Sequence, residues 1–465
     1  MIDYIGRVNM DYMVRLANDP VWAASEQQAI LDFNSDNGAT YDGKPIPCPV
    51  KPHFISPDQR QIMSTAVRNL ISALNKFIDM WLESEELQEL WGVTEDELRL
   101  YKADPGYEGA IQISRLDGFL QDYDIQFLEF NCDSPGGTGY ADVIHRGFLE
   151  MFERNGMGQN HLVSDRQRQH RLAETLATCY QEWRLAKEMA GEEGRPARPF
   201  IVVSDWRDVG TITDINIMIS HLEEAGFEAT FADPRDFEHK EDGLYLGDKR
   251  VDLIYKRVIV KELVGNPDTA ALRDAYLAGK VCMVNSPRSV IVGNKKIMAA
   301  LHRQDVMDRL NADERRAVEK HVPWTSILYE GHALFQGYKI QLRDFVIDNK
   351  DKLVLKAAQS YGGKDVFLGF ETTAEAWEEL VDKHLHENTW VVQALVRIPK
   401  ELFPELREGH VNMKLLNVNI NPLAFGGEYA GAYSRVSEKN VINVSYGGGL
   451  VPAMTIEPKG ELRMR

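Results

Sequence analysis

The chain has 465 residues, 44% hydrophobic and 27% charged, the make-up of an ordinary globular protein with room for several packed modules. Its net charge of −18 removes nucleic acid and anionic membrane as main partners, because both need a basic footprint; a local basic pocket for a small phosphate ligand is still allowed. Cys48, Cys132, Cys179 and Cys282 are far apart and show no CxxC spacing, so they read as reduced thiols and not as a disulfide frame or a zinc site.

No apolar run reaches the roughly 18–20 residues that a bilayer requires. The start, Met1-Ile2-Asp3-Tyr4, shows no basic segment leading into an apolar one, so no secretory leader is expected. The expectation is a soluble, cytoplasmic protein, with homo-oligomerisation left open. There is no internal repeat and no low-complexity tract.

Residues 1–105 read as a mostly helical region around a Pro-rich stretch, Pro45 to Pro52. From Pro57 to Leu100 apolar residues recur at helical spacing, among them Ile62, Val67, Leu70, Leu74, Phe77 and Trp81. Between Gly109 and Asn131 the period becomes two, which predicts a hairpin.

Along this hairpin run Arg115-Leu116-Asp117 and Glu129-Phe130-Asn131. Residues two apart share a strand face, so Arg115 points with Asp117 and Glu129 with Asn131. A turn centred on Asp122 sets Arg115 opposite Glu129, with Asp117 diagonal to it. Such a face is either an oxygen-rich magnesium site shared with nucleotide phosphates or a solvated sheet face with a cross-strand ion pair. The turn-rich Cys132-Asp133-Ser134-Pro135-Gly136-Gly137-Thr138-Gly139 follows, as an anion loop or a plain strand-to-helix connection.

A helical stretch is expected from about Ala141 to Gly191. Strands at Pro199–Ser204, Phe227–Phe231, Leu244–Gly247 and Val251–Tyr255, with a helix at Asp214–Ala225, predict a small parallel sheet. Asn294-Lys295-Lys296 opens a further helix, either a phosphate site or only a basic helix start. The mixed-charge segment Ala312–His321 reads as a solvated insertion.

Leu353 to Gly369 runs from an apolar strand bearing Lys356 through Gly362-Gly363-Lys364 into a second strand. It is not a Walker A loop, since GxxxxGK[ST] is absent and no helix follows. The glycines either let backbone N–H groups approach phosphate or make a hairpin turn. Trp390–Leu395 is an apolar strand, interior or facing an adenine edge. Ser434-Arg435-Val436-Ser437, with Asn440, Asn443 and Gly447-Gly448-Gly449, is an anion or acceptor site or a polar turn. The histidines form no HExxH or other metal-spaced set.

Together these pieces resemble the circularly permuted ATP-grasp proteins related to the synthetase domain of glutathionylspermidine synthase. The resemblance covers about residues 105 to 455. It is carried by Arg115, Asp117, Glu129 and Asn131, by the strand ending Tyr255-Lys256-Arg257, by Asn294-Lys295, by the Lys356–Gly363 loop, and by Gln393 and Arg435. In ordinary ATP-grasp enzymes the lysines and glycine loop precede the metal carboxylates; here Glu129 and Asn131 come first.

The resemblance implies a mixed α/β (α+β) fold, with a small parallel-sheet domain ahead of the nucleotide-binding part and a helical N-terminal region. The expected units are 1–105, 106–198, 199–290 and 291–465. It also implies that Asp117, Glu129 and Asn131 hold Mg²⁺ and that Lys295 and Lys356 bind ATP phosphates under a mobile lid of Gly362 and Gly363. Gln393 to Leu395 then line the adenine pocket, and Arg115 and Arg435 stabilise the transferring phosphoryl group or the acyl phosphate. The implied activity is ligation of a small carboxylate to a small amine with release of ADP and phosphate. A phosphotransferase on the same fold and a non-catalytic nucleotide-binding scaffold are the alternatives. The first ~100 residues do not resemble an amidase domain, so a bifunctional enzyme is not expected, and no residue is matched to glutathione or polyamine recognition.

Overall fold

The computed structural model describes residues 2–157, 161–164, 168–192, 194–360, 363–407, 409–442 and 448–458. In chain order, helices α1 (Ile2–Asn18) and α2 (Pro20–Asp36) precede a short hairpin, β1 (Thr40–Tyr41) and β2 (Lys44–Pro45), and strand β3 (His53–Ile55). Helices α3 (Pro57–Glu83), α4 (Glu85–Trp91) and α5 (Glu95–Lys102) lead to the hairpin β4 (Ile113–Gln121) and β5 (Asp124–Asn131). Then come α6 (Thr138–Arg154), β6 (His161–Ser164), α7 (Arg168–Met189), β7 (Phe200–Ser204), α8 (Ile212–Glu224) and β8 (Glu228–Ala232).

A meander β9 (Phe237–Lys240), β10 (Gly243–Leu246) and β11 (Lys249–Val251) runs into β12 (Leu253–Lys256), α9 (Val260–Gly265), α10 (Ala270–Leu277) and β13 (Cys282–Val284). Short helices α11 (Val290–Gly293), α12 (Lys296–Ala300) and α13 (Gln304–Met307) precede α14 (Ala312–His321), β14 (Thr325–Ile327), β15 (His332–Phe335), β16 (Tyr338–Gln341) and α15 (Leu342–Asp348). The last elements are β17 (Leu353–Ala357), β18 (Val366–Leu368), α16 (Ala374–His384), β19 (Trp390–Ala394), β20 (Lys400–Arg407), β21 (His410–Phe425), β22 (Glu428–Ser437) and β23 (Gly449–Pro458).

Three sheets position the site. The largest runs β3-β23-β22-β21-β4-β5, with β20 and β6 added at its sides; the second, all parallel, is β13-β12-β7-β8; the third, antiparallel, is β14-β19-β17-β18. Helices cover both faces of the first two, so successive strand residues enter different cores. Leu116, Phe130, Val202 and Ile254 pack into one; Ile113, Val203, Leu253 and Tyr433 pack into the other. Sheets buried on both faces read as continuous apolar runs, which is why 199–204 and 251–255 are visible as strands in the sequence. A separate core of Leu342, Leu353, Leu355, Trp377, Val381 and Val392 sits under the third sheet.

The expected helical run from 57 to 100 is three helices. Ser56 and Gln59 form a capping box with Pro57 in the first turn of α3; Ser84 then ends α3 and caps α4, and Thr94 with Glu97 starts α5. Four other expectations are corrected. The helical stretch 141–191 is broken by β6, which pairs antiparallel with β23, a partner almost 300 residues away (~300, a long-range pairing of the kind local periodicity does not encode).

The segment 251–255 is cut at Asp252, with β11 in the meander and β12 in the parallel sheet. Helix α14 is no solvated insertion: Ala317, Val318, Glu314 and His321 are buried, and Glu314 bonds Ser72 and Lys76 of α3 at 2.7 Å each. Ser434–Ser437 is a strand, not a turn. Among the described residues no helix is long and apolar enough to cross a membrane, and the four cysteines are buried and unpaired to one another.

Candidate active site

The β4–β5 hairpin turns between Asp122 and Tyr123, with Gln121 opposite Asp124 and Gly118 opposite Phe127. Continued without interruption, that register would set Asp117 against Leu128 and Arg115 against Phe130, placing Glu129 and Asn131 on the other face. A bulge at Leu128 prevents this: beyond it Asp117 pairs with Glu129 and Arg115 with Asn131. The expected pairing of Arg115 with Glu129 is therefore corrected by two positions, while the shared face of all four residues is retained. Gly118 lies at the bulge, where a Cβ would come within 2.8 Å of the Gln126 carbonyl oxygen.

On this face Asp117 gathers two guanidiniums. Arg115 donates through Nε to Oδ1 at 2.6 Å and through a terminal nitrogen to Oδ2 at 3.0 Å; Arg435, from β22, reaches Oδ2 at 3.2 Å. Arg115 also donates to the Gly136 carbonyl at 2.9 Å, and Arg435 to the Tyr433 hydroxyl at 3.2 Å. Burial opposes the charge on Arg115, yet Asp117 and the neighbouring acids hold it firmly protonated.

The third sheet and the start of α12 face the same carboxylates. Lys295 lies 3.3 Å from Glu129 and donates to the Ser360 carbonyl at 2.8 Å. The neighbouring Lys296 points away, bonding the Leu90 carbonyl at 2.6 Å, so Lys295 is the lysine of this pair that serves the cavity. Lys356, on β17, donates to the Gln393 amide oxygen at 2.7 Å and to the Leu128 carbonyl at 3.2 Å. Burial pulls the Lys356 ammonium down to about 8, with Glu129 opposing the fall and Lys295 adding to it. Burial pushes the Glu129 carboxyl up, but Lys295, Lys356, Arg115 and Arg435 outweigh it and hold it at about 2.

Arg115, Asp117, Glu129, Asn131, Lys295, Lys356, Gly363, Gln393, Leu395 and Arg435 all line one cavity of about 380 Å³. Gly362 lies outside the described residues. Gln393 spends its amide on Lys356 and, at 3.0 Å, on Thr325, and the Leu395 N–H is taken by the Lys352 carbonyl at 2.8 Å. Val354 and Leu368 complete an apolar wall beside them.

Sequence reasoning missed several contributors. Tyr433 joins Arg435 to Gly136. Asn294, which the sequence marks only as part of a helix opening, is buried and lines the cavity with an amide nitrogen that has no partner, as does the expected site residue Asn131. Asp214 fixes the loop after β5: its carboxylate accepts the N–H groups of Gly137, Gly139 and Tyr140 at 2.8–3.0 Å and pairs with buried Arg257 at 3.4 Å. Asn285 accepts from the Gln112 and Ile113 N–H groups and donates to the Ile113 and Cys132 carbonyls, tying both ends of the hairpin together. Apart from Tyr433 and Arg435, the partners are far apart in sequence, and an Asp in the first turn of an amphipathic helix carries no local mark of a distant partner.

Among the described residues no cluster of three His, Cys, Asp or Glu side chains could hold a metal alone. The donor set nevertheless fits Mg²⁺ shared with phosphate oxygens. Asp117 and Glu129 are direct cross-strand partners with Asn131 two residues on, and Asp117 Oδ1, with one bond, keeps a lone pair for a cation.

No family model matches the chain. It is 22% identical over 217 residues to an uncharacterized protein from Synechocystis sp., the aligned part covering 44% of this chain and 42% of that protein. Among solved structures it is similar in fold to a glutathione synthetase like-effector from Globodera pallida, solved in apoform. That likeness has a TM-score of 0.61 at 13% identity and covers 94% of this chain and 98% of the other. The fold is thus mixed α/β, of glutathione synthetase-like kind.

Proposed function

We propose that this protein is an ATP-dependent carboxylate–amine ligase, built as an ATP-grasp module whose parts run in circularly permuted order. The observation that carries the reading is the convergence of two lysines, two arginines and a paired-carboxylate strand face on one cavity. The chain order, with the acidic hairpin ahead of Lys295, Lys356 and the glycine loop, supports the permutation. The expected division into 1–105, 106–198, 199–290 and 291–465 belongs to the same reading. The cytoplasm is the proposed compartment, as four buried free thiols suit a reducing one.

In this mechanism Lys295 and Lys356 bind the nucleotide phosphates, with Gly362 and Gly363 closing over them, and Gln393 to Leu395 border the base. Asp117, Glu129 and Asn131 would hold Mg²⁺, which when bound neutralises charge on the β- and γ-phosphates. A substrate carboxylate oxygen attacks the γ-phosphorus, and the bond to the ADP oxygen breaks. Arg115 and Arg435 stabilise the transferring phosphoryl group and then the acyl phosphate. An amine nitrogen attacks the carbonyl carbon, phosphate leaves, and the nitrogen gives up a proton to form the amide. Exclusion of water by the closed cavity protects the acyl phosphate.

Screening pairs of carboxylic acids and amines for Mg²⁺-dependent ADP release, with detection of the amide, tests this. ADP with amide supports a ligase. ADP with a stable phosphorylated product and no amide replaces it by a phosphotransferase, and nucleotide bound without ADP release from any pair leaves the non-catalytic nucleotide-binding scaffold.

A further inference from the structure

We infer that Asn294 is a further nucleotide-binding residue, its amide N–H donating to a phosphate oxygen of ATP, an inference resting on the nucleotide placement proposed above. Among the described residues, the buried side-chain atoms that lack a partner and belong to the cavity walls are the amide nitrogens of Asn294 and Asn131. Both are donors, so a ligand that satisfies them presents acceptor oxygens. Asn294 is 3% exposed, and a buried amide N–H left without an acceptor is costly.

The orientation of this amide is fixed locally. Asn294 and Lys295 link α11 to α12, and Asn294 Oδ1 accepts the Lys296 N–H at 3.0 Å, an Asx turn. That bond assigns the oxygen and leaves Nδ2 as the end of the side chain without a partner. The link is itself pinned on three sides. The Trp91 indole donates to the Ile291 carbonyl at 2.8 Å, the Lys295 N–H donates to the Ala358 carbonyl at 3.0 Å, and the Lys296 ammonium donates to the Leu90 carbonyl at 2.6 Å. An amide held this firmly has little freedom left to lose when it binds.

The place of Asn294 selects phosphate as the acceptor. Gly293 backs onto β5, where a Cβ would lie 3.9 Å from the carbonyl oxygen of Phe130, the residue between Glu129 and Asn131. Ala358, which holds the Lys295 N–H, directly follows β17, the strand of Lys356. Asn294 thus stands where the acidic strand meets the two lysines assigned to phosphate, and it is next in sequence to one of them. Lys295 already works against the charge of Lys356, so a neutral amide adds a directed phosphate contact without a third positive charge.

The test is calorimetry of the full chain with Mg²⁺-ATP, without acid or amine, on Asn294→Ser and Asn294→Asp. Both substitutions keep an oxygen for the Lys296 N–H, so the turn is retained and the melting temperature is expected to stay within about 3 °C of wild type. Asn294→Ser removes the Nδ2 donor without adding charge and is expected to weaken ATP binding about 10–100-fold, the range for loss of a hydrogen bond to a charged partner. Asn294→Asp sets a carboxylate against phosphate and is expected to weaken binding at least as much. Asn294→Thr, which keeps the same oxygen, replaces Asn294→Ser if the latter does not fold. Affinity within about twofold of wild type in the neutral variant overturns the inference, even where Asn294→Asp binds poorly, because charge repulsion alone accounts for that loss. Unchanged ATP affinity joined to a lower kcat/KM for a substrate acid also overturns it, giving the donor to the carboxylate. In both cases the ligase reading stands. Wild-type protein that does not bind Mg²⁺-ATP overturns the nucleotide placement itself, and the inference with it.

Discussion

The Lys356 ammonium donates to the backbone carbonyl of Leu128, the residue that β5 holds in excess over β4. One bulge thus does two things: it returns Glu129 and Asn131 to the face of Arg115 and Asp117, and it offers an oxygen to the lysine of the opposing sheet. The geometry of the bulge depends on Gly118. Gly118→Ala drives a Cβ against backbone, so it is expected to destabilise the chain by about 1–3 kcal/mol, the usual cost of overpacking. Urea denaturation giving an unchanged midpoint would show that the strands part without strain.

Lys356→Ala is expected to weaken ATP binding roughly 10–100-fold, the range for loss of a hydrogen bond to a charged partner. Calorimetry with equal affinity in both proteins would remove Lys356 from the nucleotide site.

The depressed Lys356 value predicts two opposite pH responses. In the free protein the lysine is harder to protonate than in the unfolded chain, where it has the ordinary 10.5. Its burial penalty is present in full below about 8 and is relieved as pH rises toward 10.5, so this group's contribution to folding stability increases across that window. ATP phosphates need the protonated form, so the extra thermal stability conferred by ATP is expected to shrink as pH rises through about 8. Melting curves with and without ATP from pH 7 to 10 measure both, and a nucleotide shift that grows with pH would contradict the assignment.

Much of this arrangement was readable from local pattern. Period two exposed the hairpin, apolar runs exposed the parallel strands, and the helical stripe from Val67 to Trp81 exposed α3. The four-residue face, both site lysines, Gly363 and Arg435 were named from strand alternation and the family resemblance, and they line one cavity. What was hidden depends on distance along the chain. The bulge at Leu128 leaves no mark in an alternating sequence, yet it moves every partner beyond it. The pairing of β6 with β23, the burial of α14 on α3, and the Asp214 clamp on the head of α6 join segments that no window of sequence contains together.

Asp214 is the strongest of those hidden dependencies. Asp214→Ala leaves three N–H groups at the head of α6, those of Gly137, Gly139 and Tyr140, without their acceptor and takes from buried Arg257 its ion-pair partner. The expected loss is about 3–5 kcal/mol, the cost of breaking a buried ion pair from one side. Chemical denaturation with a loss below about 1 kcal/mol would mean that water or another group replaces the carboxylate.

Glu129→Gln separates a metal-binding face from a solvated one. The side chains are nearly isosteric, so the fold is expected to persist, while turnover falls by about two orders of magnitude, as for loss of one electrostatic stabiliser. Asp117→Asn is expected to behave alike, because the two residues are direct cross-strand partners. Folded Glu129→Gln protein releasing ADP at the wild-type rate under limiting Mg²⁺ would return this face to a structural role.

The central claim is that the carboxylate is activated as an acyl phosphate between the arginines and the nucleotide. It is tested most directly by running the reaction with a substrate acid labelled with ¹⁸O in both carboxylate oxygens and weighing the phosphate released. Attack by the carboxylate on the γ-phosphorus followed by displacement by the amine carries one labelled oxygen into each inorganic phosphate, alongside ADP and amide. Unlabelled phosphate, or label retained in a stable phosphorylated acid, would contradict ligation through an acyl phosphate.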